Sequence, residues 1–216
     1  MSERPTEFEP VRPSGGEGGA IAAPPEVDER SSENVMAGLE EEPSMVEQHA
    51  PGEIALREGY SMLAGSPQGN GRAVGVAISR FNGEITSRLL DSALAELEEL
   101  GVGADDVTVL AVPGAFELPL AAMALARTRR YACVVALGCV IRGETPHFDY
   151  VAGEAASGLQ LAALETGVPV AFGLLTVESR EQAEARIDRA RDAVRSGLEM
   201  ADVFRLLRAT AAPAAG

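Results

Sequence analysis

Four side chains able to do chemistry crowd into one short stretch. RGETPHFD carries Arg142, Glu144, Thr145 and His147 within six residues. Histidine titrates nearest neutrality of all side chains, so His147 suits general acid–base work. Thr145 and the amides that follow it offer donors to a phosphate, and Gly143 lets a ligand approach the main chain closely. His147 could instead cap a helix or pair with Asp149. Two other loops carry weight. In PGAFE (113–117), Phe116 and Glu117 open a helix, whose exposed amides favour an anion or a polyol. Glu117 is either an ordinary first-turn acid or an acceptor for ligand hydroxyls and amines. In RFNGE (80–84), Phe81 is either a core lid or a stacking face for a flat heterocycle. Position alone favours the lid.

Composition narrows the chemistry. The net charge is −15 and all 18 basic residues are arginine. Without lysine there is no Schiff-base chemistry and no P-loop lysine. So acidic a chain is a poor partner for nucleic acid. Two cysteines, Cys133 and Cys139, are too few for a disulfide scaffold or a cysteine-rich zinc site, and no metal ligand cluster is visible. Of the two histidines, His49 lies outside the patterned region. The apolar runs are too short to span a membrane and no secretory signal opens the chain. These features predict a cytoplasmic protein that takes small molecules, with no nucleic acid or membrane partner.

These loops need a frame. Short apolar runs at residues 73–79, 107–112, 131–137 and 168–175 read as strands. Segments 85–100, 117–130, 149–165 and most of 180–207 read as helices, with the glutamates of 85–100 opposite its apolar stripe. Strands without alternation are buried on both faces. The order βαβαβαβα predicts a doubly wound three-layer α/β/α sandwich on a four-stranded parallel sheet. Ligands then bind beyond the strands' carboxyl ends, where all three loops lie. Residues 1–52 are acidic and rich in Pro, Gly and Ser, and are expected to be disordered, with a transient helix at 35–45. Residues 53–72 read as a linker with a possible strand around GYSML and a flexible hinge at 65–71. The folded domain is expected at 73–208, with a disordered tail at 209–216.

The segment 186–195 alternates Arg186, Arg189, Arg191 and Arg195 with Asp188 and Asp192, and reads mainly as a solvated ion-paired face. One or two of these arginines could reach a phosphate. No dinucleotide fingerprint, P-loop or nucleophile elbow is present. A cofactor-free site working by acid–base and electrostatic means is left.

Taken in order, SRFNGEIT, VPGAFELP, GCVIRGETPHFDYV, VPVAFGLLT and EQAEAR resemble the lumazine synthase family over residues 73–207. The resemblance implies a flavodoxin-like sheet and the penultimate step of riboflavin biosynthesis. That step condenses 5-amino-6-(D-ribitylamino)uracil with 3,4-dihydroxy-2-butanone 4-phosphate, without a cofactor. It implies that Phe81 stacks on the pyrimidine and that Ala115, Phe116 and Glu117 bind it and its ribityl chain. Cys139, Val140 and Ile141 would line the same site. Glu144 and Thr145 would contact the butanone phosphate, and His147 would transfer protons. Phe172 and Arg186 would serve a neighbouring subunit's site.

The chain departs from the family pattern after Arg186. RIDRARDAVRSGLEMA is shorter than the usual glycine- and lysine-containing segment. One alignment puts Arg189 in the lysine's place and Asp192 in that of the acid accompanying the histidine. In the family the glycine-rich kink of that segment is associated with sixty-subunit shells, so the resemblance without it implies a homopentamer, or a pair of them, rather than a shell. Three other readings stay open: the archaeal type of riboflavin synthase, a non-catalytic flavin- or lumazine-binding paralogue, and a shell-forming paralogue whose tail recruits cargo. The intact loops weigh against the first.

Overall fold

Alternate side chains of one central strand part to opposite faces, and that sets the layers. The computed structural model describes residues 54–211 of the chain. Strands β1 (Val74–Ser79), β2 (Val107–Val112), β3 (Cys133–Ile141) and β4 (Val170–Val177) form a parallel sheet in the order β2-β1-β3-β4. Cys133, Val135, Leu137 and Cys139 enter one core with α1 (Gly83–Glu99) and α5 (Arg189–Ala211). Val134 and Ala136 enter the other with α2 (Leu118–Arg127) and α3 (His147–Thr166). This is the expected three-layer sandwich.

Several boundaries shift. β3 runs to Ile141 and β4 to Val177, carrying the ladder further toward the ligand edge than the apolar runs suggest. A 3-10 turn, Ala115–Glu117, precedes α2. The last helical region is broken into a short α4 (Arg180–Glu184) and α5. Gly101, at φ +88°, ends α1 in the left-handed region, and the Val102 amide closes the turn onto the Leu97 carbonyl at 2.9 Å.

Four expectations are corrected. β2 is not buried on both faces: Val109 and Leu110 are exposed, because β2 is an edge strand. Glu96 does not face solvent with the other glutamates. It is fully buried between α1 and α5, where Arg195 binds one carboxylate oxygen at 2.6 Å and Arg191 the other. The strand expected within 53–72 does not form: residues 54–73 hold no helix or strand, since an isolated strand has no ladder partner. Nor is 65–71 a loose hinge. Asp202 accepts the Ser66 amide at 3.1 Å and pairs with Arg72, and the Gly69 amide bonds the Leu100 carbonyl at 2.8 Å. Gly65 lies against α5 so closely that a Cβ would sit 2.3 Å from the Glu199 carbonyl oxygen.

Residues 209–211, expected in the tail 209–216, are helical, since α5 extends to Ala211. The segment 1–52 expected to be disordered, the transient helix expected at 35–45, and His49 lie outside the described residues, as do 212–216. Among the described residues, no helix is long and apolar enough to cross a membrane.

Candidate active site

Hydrogen bonds that continue beyond the strands fix the loops at the sheet's carboxyl edge. The Arg80 amide bonds the Val112 carbonyl at 2.8 Å, and the Phe81 amide bonds the Pro113 carbonyl at 3.1 Å. The β1 and β2 loops are therefore laced together. Asn82 turns the chain with φ 57°, a region that asparagine tolerates better than most residues. Its side-chain amide donates to the Cys139 carbonyl at 3.0 Å, tying the same loop to β3. Phe81 ends up 69% exposed. A core lid would be covered, so that alternative is ruled out within the single chain.

The PGAFE loop is held by its own acid. Glu117 Oε2 accepts the Gly114 amide at 2.9 Å, bracing the 3-10 turn. That turn buries Ala115 and leaves Phe116 58% exposed. Glu117 thus fills the local structural role expected of a first-turn acid while also bordering the cavity.

These loops enclose a groove of about 590 Å³. It gathers Phe81, Ala115, Phe116, Glu117, Cys139, Val140, Ile141, Thr145 and His147. Gly114, Phe148, Tyr150 and Val151 also border it. The sequence reading did not single out Tyr150 or Val151, although a helix starting at His147 puts positions three and four residues on beside it. His147 is the first residue of α3, and no side chain caps that helix. Its first-turn amides and positive dipole end favour an anion. Asp149, weighed as a partner for His147, instead pairs with Arg142 at 3.0 Å.

Cys139 is not a nucleophile. Burial pushes its thiol up to about 11, so it stays protonated near neutrality. Its contribution to the groove is shape. Among the described residues no group of three or more His, Cys, Asp and Glu side chains is gathered as a metal site requires.

Four expected site residues lie away from this groove within one chain. Glu144 is exposed on the loop, outside the lining. Phe172 sits on edge strand β4, 49% exposed, beside Leu164 and Val170 of a separate depression. Arg186 follows α4 and donates to the Gln182 carbonyl at 2.9 Å. Arg189 pairs with Asp192 at 3.3 Å in the first turn of α5. Among the described residues of one chain, His147 is the only potentially cationic side chain lining the groove.

The family model described as 6,7-dimethyl-8-ribityllumazine synthase matches residues 71–205. A 6,7-dimethyl-8-ribityllumazine synthase of Syntrophus aciditrophicus (strain SB) is 49% identical over 140 residues, covering 62% of this chain and 91% of that protein. The protein of the same name from Yersinia pestis (strain Pestoides F) is 50% identical over 141 residues, covering 62% and 90%.

Proposed function

Because the chain belongs to the 6,7-dimethyl-8-ribityllumazine synthase family, we propose that the groove at the sheet's carboxyl edge is where its two substrates condense. The chain is a transferase of riboflavin biosynthesis. In the reaction, an amine of 5-amino-6-(D-ribitylamino)uracil attacks the ketone of 3,4-dihydroxy-2-butanone 4-phosphate. An imine forms, phosphate leaves and the ring closes, with water released.

One observation carries the assignment of the site: Phe81 and Phe116, both exposed, share a single groove with His147 and Thr145. A flat pyrimidine needs apolar faces, and a π-stacked ring prefers an aromatic one. Ala115, Glu117, Cys139, Val140 and Ile141 complete the pyrimidine and ribityl side. Thr145 and the main-chain amide of Glu144, beside the uncapped start of α3, take the butanone phosphate. His147 moves the protons that imine formation and ring closure require.

The phosphate end needs positive charge, and one chain supplies little of it at the groove. This supports a site shared between copies, to which a neighbour brings Phe172 and Arg186, with Arg189 as a further candidate. The exposed apolar side chains of Leu161, Leu164 and Phe172 also fit self-association into a ring, a homopentamer or higher. A riboflavin-pathway enzyme of this kind works in the cytoplasm.

The test is turnover. Purified full-length chain is incubated with both substrates, and the lumazine is followed by its fluorescence. His147→Ala is expected to form product about a hundredfold more slowly, at the lower end of general acid–base effects. Binding of lumazine without turnover by the native protein would overturn the reading.

A further inference from the structure

We propose that Arg142 is a positioning residue, holding the first turn of α3 so that His147 points into the groove. This rests on the reading of His147 as the proton-transfer group. The Arg142 guanidinium grips the two residues that follow His147. It lies 4.1 Å from the centroid of the Phe148 ring. Its Nη atoms bond both carboxylate oxygens of Asp149, at 3.0 and 3.3 Å. Its Nε reaches Glu178, just beyond β4, at 2.8 Å. The main chain is pinned too, since the Arg142 amide bonds the Val177 carbonyl at 2.9 Å. One planar fork thus fastens the helix start to both β3 and β4.

This arrangement does not serve substrate directly. Arg142 is absent from the groove lining, and its donors are committed to two carboxylates. Nor is stability its main effect: the ion pairs are partly exposed, and such pairs contribute little. What the fork supplies is direction. α3 has no side-chain cap, and the loop before it, residues 142–146, is exposed. Among the described residues, Arg142 is the side chain that reaches the first turn of α3 from outside the helix. A lysine cannot replace it, because an ammonium has neither the planar fork nor the stacking face.

The test uses full-length Arg142→Met, Arg142→Lys, His147→Ala and the double variant Arg142→Met/His147→Ala. Misorientation of a catalytic group is expected to lower kcat about tenfold in Arg142→Met, with KM for the pyrimidine little changed. Arg142→Lys should resemble Arg142→Met. In the His147→Ala background the Arg142 change should have no further effect. A second readout does not depend on activity. The sequence has two histidines, so 13C-labelled histidine gives two ring signals, assigned by His147→Ala. In Arg142→Met the His147 signal should shift or broaden while that of His49 stays in place.

An unmoved His147 signal, full rescue by lysine, or an equal loss of kcat in the His147→Ala background would each overturn the proposal. If His147→Ala leaves turnover intact while its signal still moves in Arg142→Met, the reading of His147 fails but the positioning role stands. Should Arg142→Met fail to fold, Asp149→Asn removes the same clasp with a neutral isostere, and the same signal decides.

Discussion

The side-chain amide of Asn82 donates to the Cys139 carbonyl at 3.0 Å, joining the loop after β1 to the end of β3. Asn82 also holds a left-handed backbone, φ 57°. Asn82→Ala loses both features and is expected to cost about 1–3 kcal/mol in stability. Phe81, its neighbour, should be displaced, raising KM for the pyrimidine. Asn82→Gly keeps the backbone but not the bond, so it should recover part of the stability and little of the KM. Thermal unfolding and steady-state kinetics on both variants check this. Wild-type values in Asn82→Ala would refute it.

The thiols should be inert in the native protein. Burial pushes Cys133 up to about 12 and Cys139 up to about 11. An Ellman titration at pH 8 should find no fast-reacting thiol before unfolding and both in strong denaturant. Rapid native labelling of either would show that β3 opens more easily than its burial implies.

Acid should loosen the contact between α1 and α5. Burial alone would raise Glu96, but hydrogen bonds from Arg195 and Arg191 outweigh it and hold its carboxyl below the ordinary 4.5. Asp202 is likewise disfavoured by burial but is held down to about 2 by Arg205, Arg72 and the Ser66 amide. Both native pKa values lie below the unfolded ones, so the unfolded chain binds more protons in acid. Their stabilisation is complete above about pH 4.5 and is lost as pH falls toward 2. Glu96→Gln should flatten the upper part of that decline in a denaturant series run from pH 6 to pH 3. An unchanged slope would show that Glu96 is not a source of it.

A shared site can be tested by complementation. His147→Ala and Arg186→Ala proteins, each weakly active, are unfolded together and reassembled. If a neighbour supplies Arg186, some interfaces regain both native residues, and the mixture should exceed either parent. Activity that only averages the parents, in confirmed mixed oligomers, would separate the two residues.

The loops were legible because their residue types are unusual for surface connections. RGETPHFD and PGAFE stood out as clusters, and strand order alone sends both to one edge of a parallel sheet. Arg142 shows the limit: its type and place were visible, but its partner Glu178 lies 36 residues away along the chain. Phe81 was ambiguous for the same reason, since exposure is a property of what does not pack over a side chain.

The sequence by itself determined the element order, the parallel sheet and the set of loops at its ligand edge. Continuous apolar runs, helical periodicity and glycine stops are local signals, so they survive in one dimension. Only the tertiary structure decided that Glu96 is buried between two arginines, that residues 65–72 are clamped to α5, and that Asp149 belongs to Arg142 rather than His147. Each depends on which distant groups meet. A charged side chain has the same helical period whether it faces water or a guanidinium, and only packing tells the two apart.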